Sequence, residues 1–185
     1  MRPPKLKGIH NIENAMAAAL CALAVRVPAE VVQACFDRFE PIEHRIEPCD
    51  NVRGIRFVND SKATNLDSTI IALQSFERKK NIWLILGGRD KGASYEVLIP
   101  HMLPRCKQVL TIGESMDKIE RELHGALPLT RCETLDRAVQ YAAAHAQAGD
   151  IVLLSPACSS FDQFKDFEER GRVFKALVAA LAKQI

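Results

Sequence analysis

The chain has 185 residues, of which 48% are hydrophobic and 26% are charged, a composition typical of a soluble globular protein. Its 25 Lys and Arg residues against 23 Asp and Glu residues give a formal net charge of +2, which argues against a nucleic-acid-binding protein with its strong basic excess. The longest apolar run, 15–25, is too short to span a bilayer, and polar residues follow Met1, so neither a membrane span nor a secretory signal is expected.

The amino-terminal stretch is predicted to be helical. An N-cap at Asn11 predicts a first helix that ends near Val25, and its alanine-rich apolar residues are expected to be buried. Pro28 suits the first turn of a second helix, which ends near Phe39. The Glu-Pro pair that follows breaks the pattern and predicts a domain boundary near residues 40–48.

Strands and helices alternate in the remainder of the chain. The continuous apolar run at 82–86 predicts a strand that is buried on both faces. Further strands are predicted at 55–58, 109–112 and 151–154, and helices at 66–76, 95–103, 116–123, 136–146 and 163–182. This order predicts an α/β fold, in which a Rossmann-like, mainly parallel sheet with flanking helices follows the short helical segment. Such sheets bind ligands at the carboxyl ends of their strands, so we expect the chemistry in the loops there.

The loop at 59–65 places Asp60 and Lys62 just before a helix that Thr64 or Asn65 can cap. Free N–H groups and the positive dipole end of a helix start favour a small anion, and a carboxylate such as Asp60 can instead accept hydrogen bonds from ribose hydroxyls. Residues of these types are also ordinary loop and cap residues, so composition alone leaves both interpretations open.

Two further loops offer cradles for an anion. Gly87 and Gly88 permit a sharp turn or the close approach of a ligand, and Arg89 and Lys91 add positive charge. A glycine pair alone is a weak signal, because such pairs are common in turns. The small residues of 155–162 leave backbone N–H groups and hydroxyls available at another helix start.

The six cysteines form no C-x-x-C pair and no cluster with histidine at zinc spacing. Their mostly apolar neighbours favour buried, reduced thiols in a cytoplasmic protein over a disulfide framework. Cys158 is a poor candidate for a nucleophile, because no histidine lies near it in sequence.

A nucleotide would have to be held without the usual phosphate motifs. The chain has neither G-x-x-x-x-G-K-[ST] nor G-x-G-x-x-G, so another segment would hold the phosphates. Asn11 and Asn14 share a helix face, and two amides can read a purine edge, although Asn11 taken singly fits a helix cap as well. Arg45 can stack on a base or pair with a phosphate, or it can be a solvated arginine at a domain joint.

Five segments carry a family resemblance. They read His-Asn-x-x-Asn-Ala at 10–15, His-Arg at 44–45, Asn-Asp-Ser-Lys-Ala-Thr-Asn at 59–65, Leu-Gly-Gly-Arg-Asp-Lys-Gly at 86–92 and Ser-Pro-Ala-Cys-Ser-Ser-Phe-Asp-Gln-Phe at 155–164. In this order they resemble the Mur ligases, and the third and fifth segments are similar to those of members that use D-glutamate. The resemblance matches the end of the family's central ATPase domain and its carboxy-terminal domain.

The resemblance implies an ATP-dependent amide ligase of peptidoglycan precursor synthesis in the bacterial cytoplasm. With ATP and Mg²⁺, such an enzyme converts a carboxylate of UDP-N-acetylmuramoyl-L-alanine into an acyl phosphate, which the amine of D-glutamate attacks. Closure of the carboxy-terminal domain on the central domain assembles the site. Residues 1–46 are then the helical tail of the central ATP-binding domain, and 47–185 are the carboxy-terminal, amino-acid-binding domain.

Site residues follow from the same resemblance, position by position. It implies that Asn11 and Asn14 contact adenine, that Arg45 contacts the nucleotide and that Asp60 contacts its ribose. Lys62 and Lys91 are the expected catalytic lysines. The expected D-glutamate pocket consists of Lys62, Thr64, Lys91, Ser160, Phe161 and Phe167.

The resemblance also implies what this chain lacks. The phosphate loop, the metal-binding carboxylates and the UDP-binding domain belong to amino-terminal and central domains outside it, so no metal ligand is assigned. We therefore expect a monomeric fragment that is inactive alone, with ATP and Mg²⁺ bound mainly by other parts. His44 matches the family motif without an assigned role, and Ser159 stands where the family has alanine.

Two other functions fit parts of the pattern. A non-enzymatic α/β module that binds an acidic amino acid or a nucleotide would use the same loops. A phosphoacceptor receiver domain would need an acidic pair after its first strand, and Asn59-Asp60 supplies only one carboxylate.

Overall fold

The computed structural model describes residues 9–39 and 42–183, and the chain divides into two compact units between Ile42 and Glu43. The first unit contains α1 (Ile9–Ala24) and α2 (Ala29–Arg38). The second contains the sheet and its helices. The assignment of 1–46 and 47–185 to two functional domains stays a prediction.

The helices of the first unit differ from expectation in two respects. Helix α1 already includes Ile9, so the prediction of Asn11 as its N-cap is wrong. The apolar residues of α1 are largely exposed rather than buried, with Met16 at 60% and Leu20 at 67% exposure, whereas Ala19 is buried. Helical periodicity predicts the helix but carries no information about what covers its apolar side.

The second unit is built on a six-stranded sheet in the order β1-β2-β6-β3-β4-β5. Its strands are β1 (Glu47–Val52), β2 (Ile55–Asn59), β3 (Ile82–Gly87), β4 (Cys106–Ile112), β5 (Leu129–Glu133) and β6 (Ile151–Leu154). Strand β1 pairs antiparallel with β2, and all the other pairings are parallel. The predicted α/β fold with a mainly parallel sheet is confirmed.

Helices cover both faces of this sheet. They are α3 (Leu66–Gln74), α4 (Ile99–Met102), α5 (Met116–Glu122), α6 (Leu135–His145) and α7 (Phe167–Ala182). Along β3, Trp83 and Ile85 pack with α6 and α7, whereas Leu84 and Leu86 pack with α3, α4 and α5. Successive side chains of a strand point to opposite faces, so one apolar run supplies both cores.

Local chemistry explains several helix ends. The Asn65 side chain accepts a hydrogen bond from the Ser68 N–H and caps α3, which decides between the two predicted caps, Thr64 and Asn65. The last helix begins at Phe167 and not at 163, because Asp166 caps it by accepting from the Glu169 N–H. The predicted helix at 95–103 is a 3-10 turn at Tyr95–Leu98 followed by the single turn of α4.

The cysteines are all free thiols. Cys106, Cys132 and Cys158 are buried as expected, whereas Cys21 and Cys35 lie exposed in the first unit, against the expectation. Among the helices within 9–39 and 42–183, none has the length and apolar character needed to cross a membrane.

Candidate functional site

Four loops meet at the carboxyl edge of the sheet, and we call them together the rim: 60–65 after β2, 88–92 after β3, 113–115 after β4 and 155–162 after β6. Because β2, β6 and β3 are neighbours and run parallel, the loops that carry Lys62, Ser160 and Lys91 lie side by side. The predicted convergence of these loops is therefore present in the fold.

The glycine pair lets two rim loops touch backbone to backbone. Gly87 and Gly88 have φ values of +130° and +137°, which L-residues with side chains rarely adopt. A Cβ on Gly88 would lie 2.4 Å from the Ser159 carbonyl oxygen. One residue further on, the Arg89 N–H donates to that carbonyl at 2.9 Å, so the loops after β3 and β6 are fastened together.

A partly buried set of polar contacts supports the same two loops. The Tyr95 hydroxyl donates to Asp90 Oδ1 at 3.0 Å and lies 2.9 Å from Cys158 Sγ, and Lys118 pairs with Asp90 at 3.0 Å. Burial raises the pKa of the Cys158 thiol, which disfavours the reactive thiolate. Cys158 therefore serves in packing and hydrogen bonding.

Asp60 is held inside the rim. Its carboxylate accepts hydrogen bonds from the Ser155 hydroxyl at 2.7 Å and from the Ile46 N–H at 3.1 Å, and the residue is only 4% exposed. Burial raises the pKa of Asp60 to about 7, although these hydrogen bonds and the positive charge of Arg45 act to lower it. Arg45 itself is half-buried.

Lys62 and Phe167, which the sequence assigned to one pocket, are brought together. The Lys62 Nζ lies 4.8 Å from the centre of the Phe167 ring, a cation–π contact at the start of α7. The Lys62 N–H donates to the His44 carbonyl at 3.0 Å, and the Thr64 N–H donates to the Lys62 carbonyl at 2.9 Å. The Lys62 side chain is exposed and Thr64 is half-buried, and both belong to the loop after β2, at the edge of the sheet where a ligand is expected.

Three further predicted pocket residues lie on the neighbouring loops. Lys91 and Phe161 are exposed, with Phe161 at 61%. Ser160 is only 2% exposed, and its hydroxyl has no hydrogen-bond partner among residues 9–39 and 42–183. Burying a hydroxyl without a hydrogen-bond partner is unfavourable, and a hydrogen bond to a ligand atom can offset this cost.

The site's family follows from a comparison with protein families. A family model described as "Mur ligase, glutamate ligase domain" matches residues 44–158, which is more than half of the chain and includes three of the four rim loops. The chain belongs to the Mur ligase family. This confirms the resemblance drawn from the five sequence segments.

Curated relatives of the chain support the same family. The chain is 55% identical over 179 residues to the UDP-N-acetylmuramoylalanine–D-glutamate ligase of Elusimicrobium minutum, which covers 97% of the chain and 40% of that protein. It is 48% identical to the protein of the same name from Koribacter versatilis, over 97% of the chain and 39% of that protein. The chain thus spans about 40% of the length of these relatives.

Solved structures share the fold at low sequence identity. A murein peptide ligase from Psychrobacter arcticus matches with a TM-score of 0.64 and 18% identity, over 98% of the chain and 39% of that protein. A pseudomurein peptide ligase type C from Methanothermus fervidus matches with a TM-score of 0.74 and 13% identity, over 96% of the chain and 37% of that protein. At these identities the likeness shows the Mur ligase fold alone.

The predicted adenine contacts lie in the other unit. Asn14 is an exposed residue of α1, and Asn11 lies in the same helix, with its side chain outside the described residues. Their roles stay predictions, as do those of the rim residues.

His44, which sequence left without a role, is a buried anchor. The residue is 3% exposed, and its ring accepts a hydrogen bond at Nδ1 from the Asn59 amide at 2.8 Å. It fills a notch over Gly171 of α7, where an added Cβ would lie 2.2 Å from Nδ1. The carbonyl that receives the Lys62 N–H belongs to this residue, so the anchor bears directly on the rim.

The residues present do not fit the magnesium ion that the Mur ligase family implies. Glu43, His44 and Glu47 have ligand atoms within 4.8 Å of one another. However, Lys175 pairs with Glu43 at 2.5 Å and with Glu47 at 3.0 Å, so an ammonium already bridges both carboxylates. Asp60 in the rim is engaged by internal donors and is surrounded by positive charge.

Sequence reasoning missed Ser61 and Arg170. Arg170 is 1% exposed, and its guanidinium donates to the Ser61 hydroxyl, the Ser61 carbonyl and the Cys158 carbonyl. The available signal was the spacing of α7, since Arg170 shares one helix face with the buried Phe174 and Val178. An arginine at a core-facing position indicates a buried, hydrogen-bonded charge.

Proposed function

We propose that this chain is part of an ATP-dependent ligase that joins D-glutamate to UDP-N-acetylmuramoyl-L-alanine through an acyl phosphate, and that the rim binds the D-glutamate. The similarity of nearly the whole chain to relatives named for that reaction carries the proposal, at 55% identity over 97% of the chain for Elusimicrobium minutum. The reaction would belong to peptidoglycan precursor synthesis in the bacterial cytoplasm, where ATP is available and thiols stay reduced.

The chemistry of D-glutamate suits the rim. Its two carboxylates need two sets of cations or N–H donors, and its amine must stay free to react. Lys62 and Lys91 supply two exposed ammonium groups on separate loops, and the unpartnered hydroxyl of Ser160 offers a donor between them. Thr64 can add a second hydroxyl, while Phe161 and Phe167 supply apolar walls.

Positioning is the main contribution of these residues to the reaction. Once ATP has converted the acceptor carboxylate into an acyl phosphate, the D-glutamate amine attacks its carbonyl carbon, and phosphate leaves from the tetrahedral intermediate. Two anchored carboxylates fix the direction of that amine, which replaces a random encounter with an oriented approach. The lysines also offset the negative charge that gathers around the phosphate, the role that makes them catalytic.

The nucleotide would be held chiefly by parts of the longer protein beyond this chain. In the proposal, those parts bind the ATP phosphates and Mg²⁺, because this chain has no phosphate-loop motif and its residues do not fit the metal ion. Asn11 and Asn14 would contact the adenine edge and Arg45 the nucleotide. Asp60 would accept from ribose hydroxyls with the lone pairs that Ser155 and Ile46 leave free.

A chimeric ligase tests the proposal. The chain replaces the matching 40% of the Elusimicrobium minutum protein, and ADP release is measured with ATP, UDP-N-acetylmuramoyl-L-alanine and D-glutamate. We expect release that requires D-glutamate and is absent with L-glutamate, and no turnover by the isolated chain. A folded chimera without activity would contradict the proposal. Micromolar binding of D-glutamate by the isolated chain would favour the binding module instead.

A further inference from the structure

Helix α7 presents a positive charge to the interior of the protein. Its buried face consists of Arg170, Gly171, Phe174 and Val178. A buried guanidinium is unfavourable unless its N–H groups find acceptors, so its presence on a core-facing position calls for a specific set of partners.

Those partners belong to two different rim loops. Arg170 Nε donates to the Ser61 hydroxyl at 3.0 Å and Nη2 donates to the Ser61 carbonyl at 2.8 Å, both in the loop after β2. Nη1 donates to the Cys158 carbonyl at 3.2 Å, in the loop after β6. The same Nη1 would lie 3.4 Å from a Cβ on Gly88, so the loop after β3 packs against it as well.

Ser61 also bonds directly to helix α7. Its hydroxyl donates to the Phe167 carbonyl at 2.7 Å, in the first turn of α7. The guanidinium, Ser61 and the start of α7 therefore form one buried unit. Lys62 follows Ser61 in one loop, and Ser159 and Ser160 follow Cys158, the remaining acceptor of Arg170, in the other loop.

The guanidinium of Arg170 forms no direct ion pair with a carboxylate of the described residues. Among the residues of 9–39 and 42–183, no acidic oxygen lies within 4.0 Å of the guanidinium, and all its acceptors are neutral oxygens. Burial lowers the pKa of Arg170 to about 10, which still leaves it protonated at neutral pH. The nearby carboxylates of Asp162 and Asp60 favour this charge without contacting the guanidinium, which therefore acts on the rim mainly through its hydrogen bonds to the two loops.

We propose that Arg170 is a positioning residue of the D-glutamate site, which sets the separation of the Lys62 and Ser160 loops. The inference rests on the proposed function for its substrate, but the clamp between the loops stands on geometry alone. Lysine cannot replace it fully, because one ammonium cannot match the planar fork that reaches acceptors on both loops.

The first test uses the isolated 185-residue chain and amide hydrogen–deuterium exchange. In R170M we expect exchange in 60–65 and in 155–162 to become about tenfold faster together, while β3 stays protected. R172M is the matched control, since Arg172 lies two residues further on the same helix and its side chain is 60% exposed. Wild-type exchange at either loop in R170M would overturn the clamp. If R170M does not fold, R170K carries the test with an intermediate effect expected.

The second test uses the chimera and separates substrates. R170M is expected to raise the KM for D-glutamate about tenfold, as expected for the loss of charge-assisted hydrogen bonds, and to leave the KM for ATP within twofold. R170K should recover part of the loss, and R172M should match the parent. Equal losses for both substrates, or none, would overturn the positioning role. An inactive parent chimera would refute the proposed function instead, and the exchange experiment would still decide the clamp.

Discussion

Asp60 is a carboxyl group that the fold withdraws from water at the end of β2. Its burial raises the pKa from 3.8 to about 7, so the folded protein binds this proton more tightly than the unfolded chain does. The stabilisation that results is fully present below pH 3.8 and is lost as the pH rises through 7. The residue thus makes the rim sensitive to pH near neutrality.

Replacing Asp60 by asparagine should remove that dependence. Asparagine keeps an acceptor for the Ile46 N–H but does not titrate, so D60N should lose less stability than the wild-type chain between pH 5 and pH 8. The difference is expected to be on the order of 3 kcal/mol. Urea unfolding of both chains at the two pH values measures it, and parallel losses would contradict the assignment of a raised pKa.

Lys91 differs from Asp60 because the described structure gives it no partner to stabilise. K91A should therefore leave the unfolding midpoint of the isolated chain unchanged. In the chimera it should raise the KM for D-glutamate about tenfold or more while the KM for ATP stays nearly constant. K79A is the control, since Lys79 is also an exposed lysine but lies in the loop before β3, at the opposite edge of the sheet. Unchanged use of D-glutamate in K91A would remove Lys91 from the pocket.

At the scale of elements, α7 and the segment that enters the sheet are fitted to each other through His44 and Gly171. The histidine has a φ of +63°, and Ile46 has +46°, a backbone conformation that is unusual for a β-branched residue. Such strain persists where surrounding contacts hold it, here the Asn59 amide and the Asp60 carboxylate.

A double-mutant cycle tests this contact, because G171A should lower the free energy of unfolding when His44 is present and raise it when His44 is absent. In the wild-type background, G171A places a methyl group 2.2 Å from the His44 ring and should destabilise the chain by about 1–3 kcal/mol. In an H44A background the notch is empty, so the same substitution should stabilise α7 by up to about 1 kcal/mol through helix propensity. Chemical unfolding of the four proteins gives both values. A similar destabilisation in both backgrounds would contradict the contact.

Elements with a strong pattern were predictable, and those without one were not. The apolar run of β3 predicted a strand buried on both faces because few other structures accommodate it. Strands β1 and β5 escaped prediction because they are the two edges of the sheet, where proline, acidic residues and exposed positions interrupt the alternation.

Some features of the candidate site were likewise predictable from the sequence, and others were not. The meeting of Lys62, Lys91 and Ser160 at one edge was predictable, because parallel strands end together. The contacts of Arg170 with Ser61 were not, because they join residues 109 positions apart and depend on how α7 is seated. The burial of His44 escaped prediction for the same reason.

At the scale of the whole molecule, the chain spans about 40% of the length of its curated relatives, and its two compact units carry different parts of the expected site. The rim holds the expected amino-acid pocket, and α1 holds the expected adenine contacts. In the proposed ligase, the parts of the longer protein outside this chain complete the site, which is why the isolated chain is expected to be inactive.

Chemical footprinting of lysines in the chimera tests the central claim most directly, because it locates the substrate without relying on turnover. With a non-hydrolysable ATP analogue and UDP-N-acetylmuramoyl-L-alanine present throughout, D-glutamate should slow acetylation of Lys62 and Lys91 together, whereas L-glutamate should not, and Lys79 should react at a constant rate. Unchanged acetylation of Lys62 and Lys91 at saturating D-glutamate would show that the substrate binds elsewhere.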